Sequence, residues 1–150
     1  MNEASQKYWT EFWNTQGKEQ PASVTAWQFG AVPDQLAQLV IDGVKTATCS
    51  GLVFYELENE PLPAVDDYSI ILSSKDEPLA IIRTSQVEQM PMNEVPEEFA
   101  IAEGEGDRTY RYWKEAHERF FKKELNEIGL EFTEDMMLVC ERFELVDVNK

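Results

Sequence analysis

Apolar positions along this 150-residue chain change period several times, and each change marks an element. Tyr8, Trp9, Phe12 and Trp13 recur at i, i+1, i+4 and i+5, which predicts one aromatic stripe on a helix over 3–16, with Gly17 as its stop. Such a stripe is a docking face against a core or, failing that, a partner surface. Pro21-Ala-Ser reads as a short linker. Pro33 can open a second helix carrying Leu36, Ala37, Leu39, Val40 and Ile41, with Gly43 at its end. Segments 44–55, 67–73, 78–89 and 136–147 are β-branched and aromatic and predict strands, punctuated by Pro61, Pro63, Pro78 and Pro91. A short helix is expected over 93–102. A longer one is expected over 107–126, with Asp107 as its N-cap and Gly129 just past its end. Helices and strands do not alternate regularly and the connections are short. That pattern predicts an α+β fold on a mainly antiparallel or mixed sheet rather than a doubly wound one.

The length suits a single domain, with about two-thirds of the unfolded surface buried on folding. Neither repeats nor a low-complexity tract interrupt the chain. Charge changes the picture more. Thirteen Lys and Arg stand against 29 Asp and Glu, a net charge of −16. Polyanions such as nucleic acid and anionic membranes are repelled at long range by such a surface. A nucleic-acid role would need a local basic cleft, or a ligand carrying little charge.

No apolar run approaches the roughly 20 residues of a membrane span, so no membrane association is expected. The first 20 residues lack the apolar stretch of a signal peptide, and the two cysteines, Cys49 and Cys140, have no C-x-x-C spacing. Two reduced thiols in a cytoplasmic protein is the expectation. His117 is the only histidine and sits in no ligand-spaced cluster, so neither a metal nor a cofactor is expected.

Four segments can carry chemistry. Gly43-Val-Lys-Thr-Ala-Thr-Cys-Ser50 gathers a lysine, three hydroxyls and a thiol directly after a helix. In a regular strand Lys45 and Thr48 point to opposite faces, so they meet only if the chain bends near Lys45, as Gly43 allows. A desolvated lysine loses pKa and can act as a base toward a hydroxyl; hydroxyls are equally ordinary in strands. Ala102-Glu-Gly-Glu-Gly-Asp107 interleaves glycines with acids, so Glu103 and Glu105 are either a crowded acid/base pair or a solvated loop. Arg108, Arg111 and Lys114 share one face of the long helix, either as a salt-bridged solvated face or as a small anion-facing patch. Tyr110, Trp113, His117, Phe120 and Phe121 fit its core face. Trp27-Gln-Phe-Gly30 is either core or a wall on which a base stacks. Arg83, flanked by apolar residues in Leu79-Ala-Ile-Ile-Arg-Thr84, needs a carboxylate or a ligand, and Glu103 or Glu105 is the expected partner.

Together these segments resemble the ASCH domain family. The matching pieces are Trp27-Gln-Phe-Gly30, the stretch 34–50 with its G-x-K-T-x-T element, Pro78 to Val87, and Phe99 to Asp107 with its E-G-E-G-D element. Trp113 to His117, Phe120-Phe121 and Met137 to Phe143 complete the match. It covers about 24–147, and 1–20 looks like the N-terminal helical extension of longer bacterial members. The resemblance implies a PUA-like mixed β-barrel with flanking helices. It also implies one of three functions, since the family includes proposed RNA-binding modules, a branch that deacetylates N4-acetylcytidine, and a member that cleaves RNA. In the deacetylating branch a lysine, a threonine three residues on and a downstream glutamate form the catalytic set. On this chain these fall on Lys45, Thr48 and Glu105, with Glu103 as the alternative register. The mechanism so implied has a buried, neutral Lys45 taking the proton of Thr48, which attacks an amide carbonyl while Glu105 serves the leaving nitrogen. Trp27 would stack on the base, Arg83 would orient a carbonyl or the glutamate, and Ser50, Glu103, Arg108 and Arg111 would line the binding site. A neutral nucleoside-like small molecule suits a charge of −16. An RNA-binding module or ribonuclease using a local basic cleft, or a non-catalytic ligand-binding or interaction domain, are the alternatives.

Overall fold

A computed structural model describes all of residues 1–150. Helix α1 spans Glu3–Gln16 and closes at Gly17 in the left-handed region, as its aromatic spacing predicts. Strand β1 (Thr25–Trp27) and helix α2 (Pro33–Ile41) follow, then β2 (Ala47–Gly51) and α3 (Leu52–Glu58). Two antiparallel strands, β3 (Tyr68–Leu72) and β4 (Pro78–Pro91), lead through a single 3₁₀ turn at Met92–Glu94 to α4 (Glu97–Glu103) and α5 (Tyr110–Glu127). Strand β5 (Met137–Val148) completes the fold.

The five strands form one sheet in the order β1-β3-β4-β5-β2, with β1 parallel to β3 and every other pair antiparallel. Two bulges break the register of β4 with β5, one in β5 at Val146 opposite Ile81 and Ile82, the other in β4 at Ser85 between Thr84 and Gln86. Bulges add twist and bend the strand that carries them. The sheet accordingly curls into a half-barrel flanked by helices, the α+β architecture expected. The aromatic stripe of α1 docks: Tyr8, Trp9 and Trp13 pack on Ile70, Leu72 and Ile81. A second apolar cluster joins α2 to the sheet through Leu36, Val40, Ile71 and Phe143, and a third sets Trp113 and Phe121 of α5 against Ala47 and Leu138.

Three expectations are corrected. The strand predicted over 44–55 stops at Gly51, and Leu52–Glu58 is helix. A short apolar run rich in Val, Phe and Tyr has no period long enough to separate the two. At the turn a Cβ on Gly51 would stand 2.9 Å from the Phe54 ring and 3.1 Å from the Met136 methyl, so glycine spares both side chains a shift. Strand β1 is not among the predicted elements, because its three residues are too few to show an alternation. The cap of α5 is Thr109 rather than Asp107; Asp107 instead accepts hydrogen bonds from the Thr109 N–H and hydroxyl at 3.0 and 2.6 Å.

Candidate functional site

Gly43 leaves α2 with φ +76°, supplying the bend that the Lys45 segment requires. The Val44 and Lys45 N–H groups both donate to the Leu39 carbonyl, and the Thr46 N–H donates to Ala102 O at 2.7 Å. This backbone bond docks the segment on the C-terminus of α4. The approach is so close that a Cβ on Gly104 would lie 2.6 Å from Val44 O, and Gly104 itself takes φ +71°. Glycine is therefore needed there on two counts. The consequence is that Lys45 and Glu103 face one another from different elements.

Lys45 is 2% exposed, and its Nζ donates to Glu103 Oε1 at 3.3 Å, to the Glu103 carbonyl at 3.4 Å and to Glu105 Oε2 at 3.1 Å. Glu103, also buried, accepts from Trp113 Nε1 on its other oxygen, which lies 3.5 Å from His117 Nε2. His117 stacks on Trp113 one turn away and shares a 2.8 Å hydrogen bond between Nδ1 and the Trp113 carbonyl. A carbonyl only accepts, so Nδ1 carries hydrogen. Nε2 then faces a carboxylate, and the ring is best satisfied as an imidazolium. Burial, the largest single influence, pulls the His117 pKa down, but the charge and hydrogen bond of Glu103, the Glu105 charge and the Trp113 carbonyl together reverse it and raise the net value. The same contest decides Lys45. Burial lowers its pKa, and the charges of Glu103 and Glu105 more than reverse that. Glu103 is pushed up by burial and pulled further down by Lys45 and His117, so it stays ionised. Two cations thus meet two carboxylates in a charge-balanced cluster that opens to solvent only at Glu105.

This corrects the expected neutral Lys45: the amine is an ammonium, and it cannot take a proton from a hydroxyl. Nor do its hydrogen bonds reach Thr48, since all of them go to Glu103 and Glu105. Thr48 lies instead on an adjacent cleft of about 1050 Å³ with Trp27, Ser50 and Tyr55. The cleft runs between β1, the free edge of β2, α3, the loop at 60–64 and one face of α5. Trp27 meets Phe29 edge-on at 4.9 Å, and the Ser50 and Tyr55 hydroxyls share a 2.8 Å hydrogen bond. Lys45, Glu103 and Glu105 do not line the cleft; they stand behind its wall. Phe29, Cys49 and Phe121 belong to both: the Phe29 ring centre is 5.4 Å from Lys45 Nζ, and Phe121 lies 6.0 Å from His117.

Four carboxylates (Glu60, Asp67, Glu124, Glu141) border the cleft, and no Lys or Arg does. Arg108 is exposed, and Arg111 is exposed and paired with Glu115 at 3.3 Å; neither reaches the cleft. Arg83 is a further correction. Its partners are Asp66 at 3.7 Å and Glu144 at 3.6 Å, not Glu103 or Glu105, and it too lies off the cleft. Sequence reasoning placed Trp113 and His117 in the core without a role, and passed over Glu141 and Tyr55. Their i, i+4 spacing on α5 was the only sign that Trp113 and His117 act together.

Cys49, Glu103 and His117 offer three possible metal-ligand atoms within 4.8 Å of one another. Burial and the adjacent Glu103 charge push the Cys49 thiol well above its ordinary value. A cation there would have to displace protons from both Cys49 and His117 and share Glu103 with the Lys45 ammonium. The donor set therefore suits an internal ion-pair cluster better than a metal.

A family model described as ASCH domain matches residues 25–147. Among solved structures, an ASCH domain from Lactobacillus crispatus JV V101 is 34% identical with a TM-score of 0.92, covering 99% of this chain and 97% of that one. A protein of Enterococcus faecalis V583 is 45% identical with a TM-score of 0.86, covering 99% and 91%. A mutant ASCH protein of Zymomonas mobilis shares 11% identity with a TM-score of 0.50 over 85% of this chain and 72% of that one, a likeness of fold alone. No curated protein matches.

Proposed function

The chain belongs to the ASCH domain family, and from that premise we propose that it hydrolyses a small, uncharged, nucleoside-like amide held in the aromatic cleft. The observation that carries this reading is the pairing of a cation-free cleft with a buried cluster of ionised groups directly behind its wall. A cleft edged by four carboxylates repels phosphate, which favours a neutral nucleoside over RNA. Trp27, Phe29 and Tyr55 supply flat apolar surface for a heteroaromatic ring.

In this reading Thr48 presents its hydroxyl to the amide carbonyl. The Lys45 ammonium supplies positive charge, felt strongly in a region closed to water, against the oxyanion that develops. Glu105 is the member of the cluster that reaches solvent, and Lys45 anchors it at 3.1 Å. It is the group assigned to take the hydroxyl proton and return it to the leaving nitrogen, and then to take a proton from the water that cleaves the Thr48 ester and return it to the threonine oxygen, so the acid leaves and the proton count closes. Catalysis by this route requires Thr48 Oγ1 to come within hydrogen-bond reach of the cluster when ligand is bound. A second reading, ligand binding without turnover, draws on the separation of Thr48 from Lys45 in the free protein.

Acetate release from N4-acetylcytidine tests the proposal. Turnover by the wild type, abolished by Lys45→Ala and by Glu105→Gln in protein that still folds, supports hydrolysis. Turnover unchanged in both variants sinks the mechanism. Binding without release in the wild type leaves the second reading.

A further inference from the structure

Glu141 sits in the middle of β5, between Thr48 of β2 and Val87 of β4 in register, so its backbone is clamped on both sides. Its side chain is half-buried on the cleft. The neighbouring cation, Arg142, serves the opposite face, where it pairs with Glu98 at 3.3 Å and lies over the Phe99 ring. The only hydrogen bond the Glu141 carboxylate receives within the protein comes from the Thr84 hydroxyl, at 3.3 Å to Oε1. A carboxylate offers about four acceptor positions, and one turned away from water without a cation costs stability. Half-burial and the nearby Asp67 charge raise its pKa, the Thr84 bond notwithstanding. A threonine or valine would sit in this strand more cheaply. The fold gains nothing visible from Glu141, whereas the cleft gains an acceptor on a rigid strand.

We propose that Glu141 is the recognition residue of the cleft: its free oxygen accepts a hydrogen bond from an N–H on the edge of a flat heteroaromatic ligand stacked against Trp27, which Phe29 backs edge-on. The ligand class is therefore an aromatic amine or amide with at least one edge N–H, neutral or cationic, and without a phosphate. This deepens the reading of the cleft as a nucleoside-like site and rests on it. Thr84 holds Oε1 and leaves Oε2 to the ligand. Glu60, Asp67 and Glu124 make the surrounding field negative, which strengthens an N–H donor and penalises an acceptor-only edge.

Calorimetric titration of the full chain with cytidine and with N4,N4-dimethylcytidine, which lacks the amino hydrogens, tests this. The wild type should bind cytidine about tenfold more tightly, the value of one hydrogen bond to a charged acceptor. Glu141→Leu should bring the two ligands within twofold of each other. Glu141→Gln, which keeps a carbonyl acceptor, should retain an intermediate preference and serves as the informative variant if the leucine protein folds poorly. A preference that persists in both variants reports steric exclusion of the methyl groups and overturns the proposal. So does a merely structural effect, in which both affinities fall together, and so does wild-type protein that binds neither nucleoside. Failure of the hydrolase reading looks different: the cytidine preference and its dependence on Glu141 remain, and no acetate is released from N4-acetylcytidine.

Discussion

Replacing Glu103 by Gln tests the buried cluster most directly. The side chain keeps its size and loses its charge, so Lys45 and His117 are left facing one carboxylate, Glu105. At 3.3 Å and an effective dielectric of 20, the Lys45–Glu103 attraction amounts to about 5 kcal/mol, and desolvation offsets a large part of it. Removing one partner of a buried pair costs about 3–5 kcal/mol. The lower end applies, because Glu105 still holds Lys45 at 3.1 Å and His117 can shed its proton. A loss of about 3 kcal/mol corresponds to a fall in Tm of about 10 °C for a chain of this length. Urea unfolding at pH 7 and calorimetry measure the change. Because His117 is the only histidine, its single imidazole resonance also reports the cluster by NMR: its pKa lies above 6.5 in the wild type and drops in the variant. A Glu103→Gln protein within 0.5 kcal/mol of wild type, with the His117 titration unmoved, would refute the ion-paired cluster.

Three further outcomes are expected. His117 has a raised pKa in the folded state, so its contribution to stability is complete below about pH 6.5 and is lost as pH rises through the folded value. Lys45 titrates only at higher pH and Glu103 only at lower pH, so Tm should fall as pH rises above about 6.5 in the wild type and stay flatter in His117→Gln; parallel profiles would contradict the imidazolium assignment. Trp9→Ala, which empties a side chain 1% exposed between α1 and the sheet, should cost about 3–5 kcal/mol in urea unfolding, and a loss under 1 kcal/mol would mean that α1 is a loosely attached extension. Single-stranded RNA should show no binding at 50 mM salt by fluorescence anisotropy, while affinity that falls steeply with salt would reveal a phosphate track away from the cleft.

Most of the fold was legible because long elements have periods. The α1 stripe, the Pro33 start of α2 and the two long strands each show several turns or alternations of a single pattern, and their bounds fall within a few residues of those expected. Elements β1 and α3 were not legible. Their three and seven residues carry too little pattern, and tertiary contacts such as Gly51 against Met136 decide them. The site was half legible for a related reason. Lys45, Glu103 and Glu105 stood out because unusual residue types cluster locally around glycines. Their meeting depends on Gly104 packing against Val44, a contact between elements. The error over Lys45 was one of sign. Burial alone predicts a neutral amine, and only the presence of two carboxylates reverses it. Arg83 was misassigned because register, invisible in the sequence, sets it beside Glu144.

A buried ion-pair array is weak grounds for stability, since apolar residues of similar volume often serve a core as well or better. The three apolar clusters already join α1, α2 and α5 to the sheet without Lys45 or Glu103. The fold can therefore spare the array, and Lys45→Met combined with Glu103→Leu should recover much of the stability that either single change loses, because neither partner of the buried pair is left charged alone, His117 can shed its proton and Glu105 reaches solvent. Such a protein would keep the cleft, with Trp27, Thr48 and Glu141 in place, and lack the ammonium behind its wall. If it binds cytidine as the wild type does and releases no acetate, recognition belongs to the cleft and turnover to the cluster. If it still turns over, the array is an internal brace, and the chemistry must be sought among the hydroxyls and carboxylates of the cleft itself.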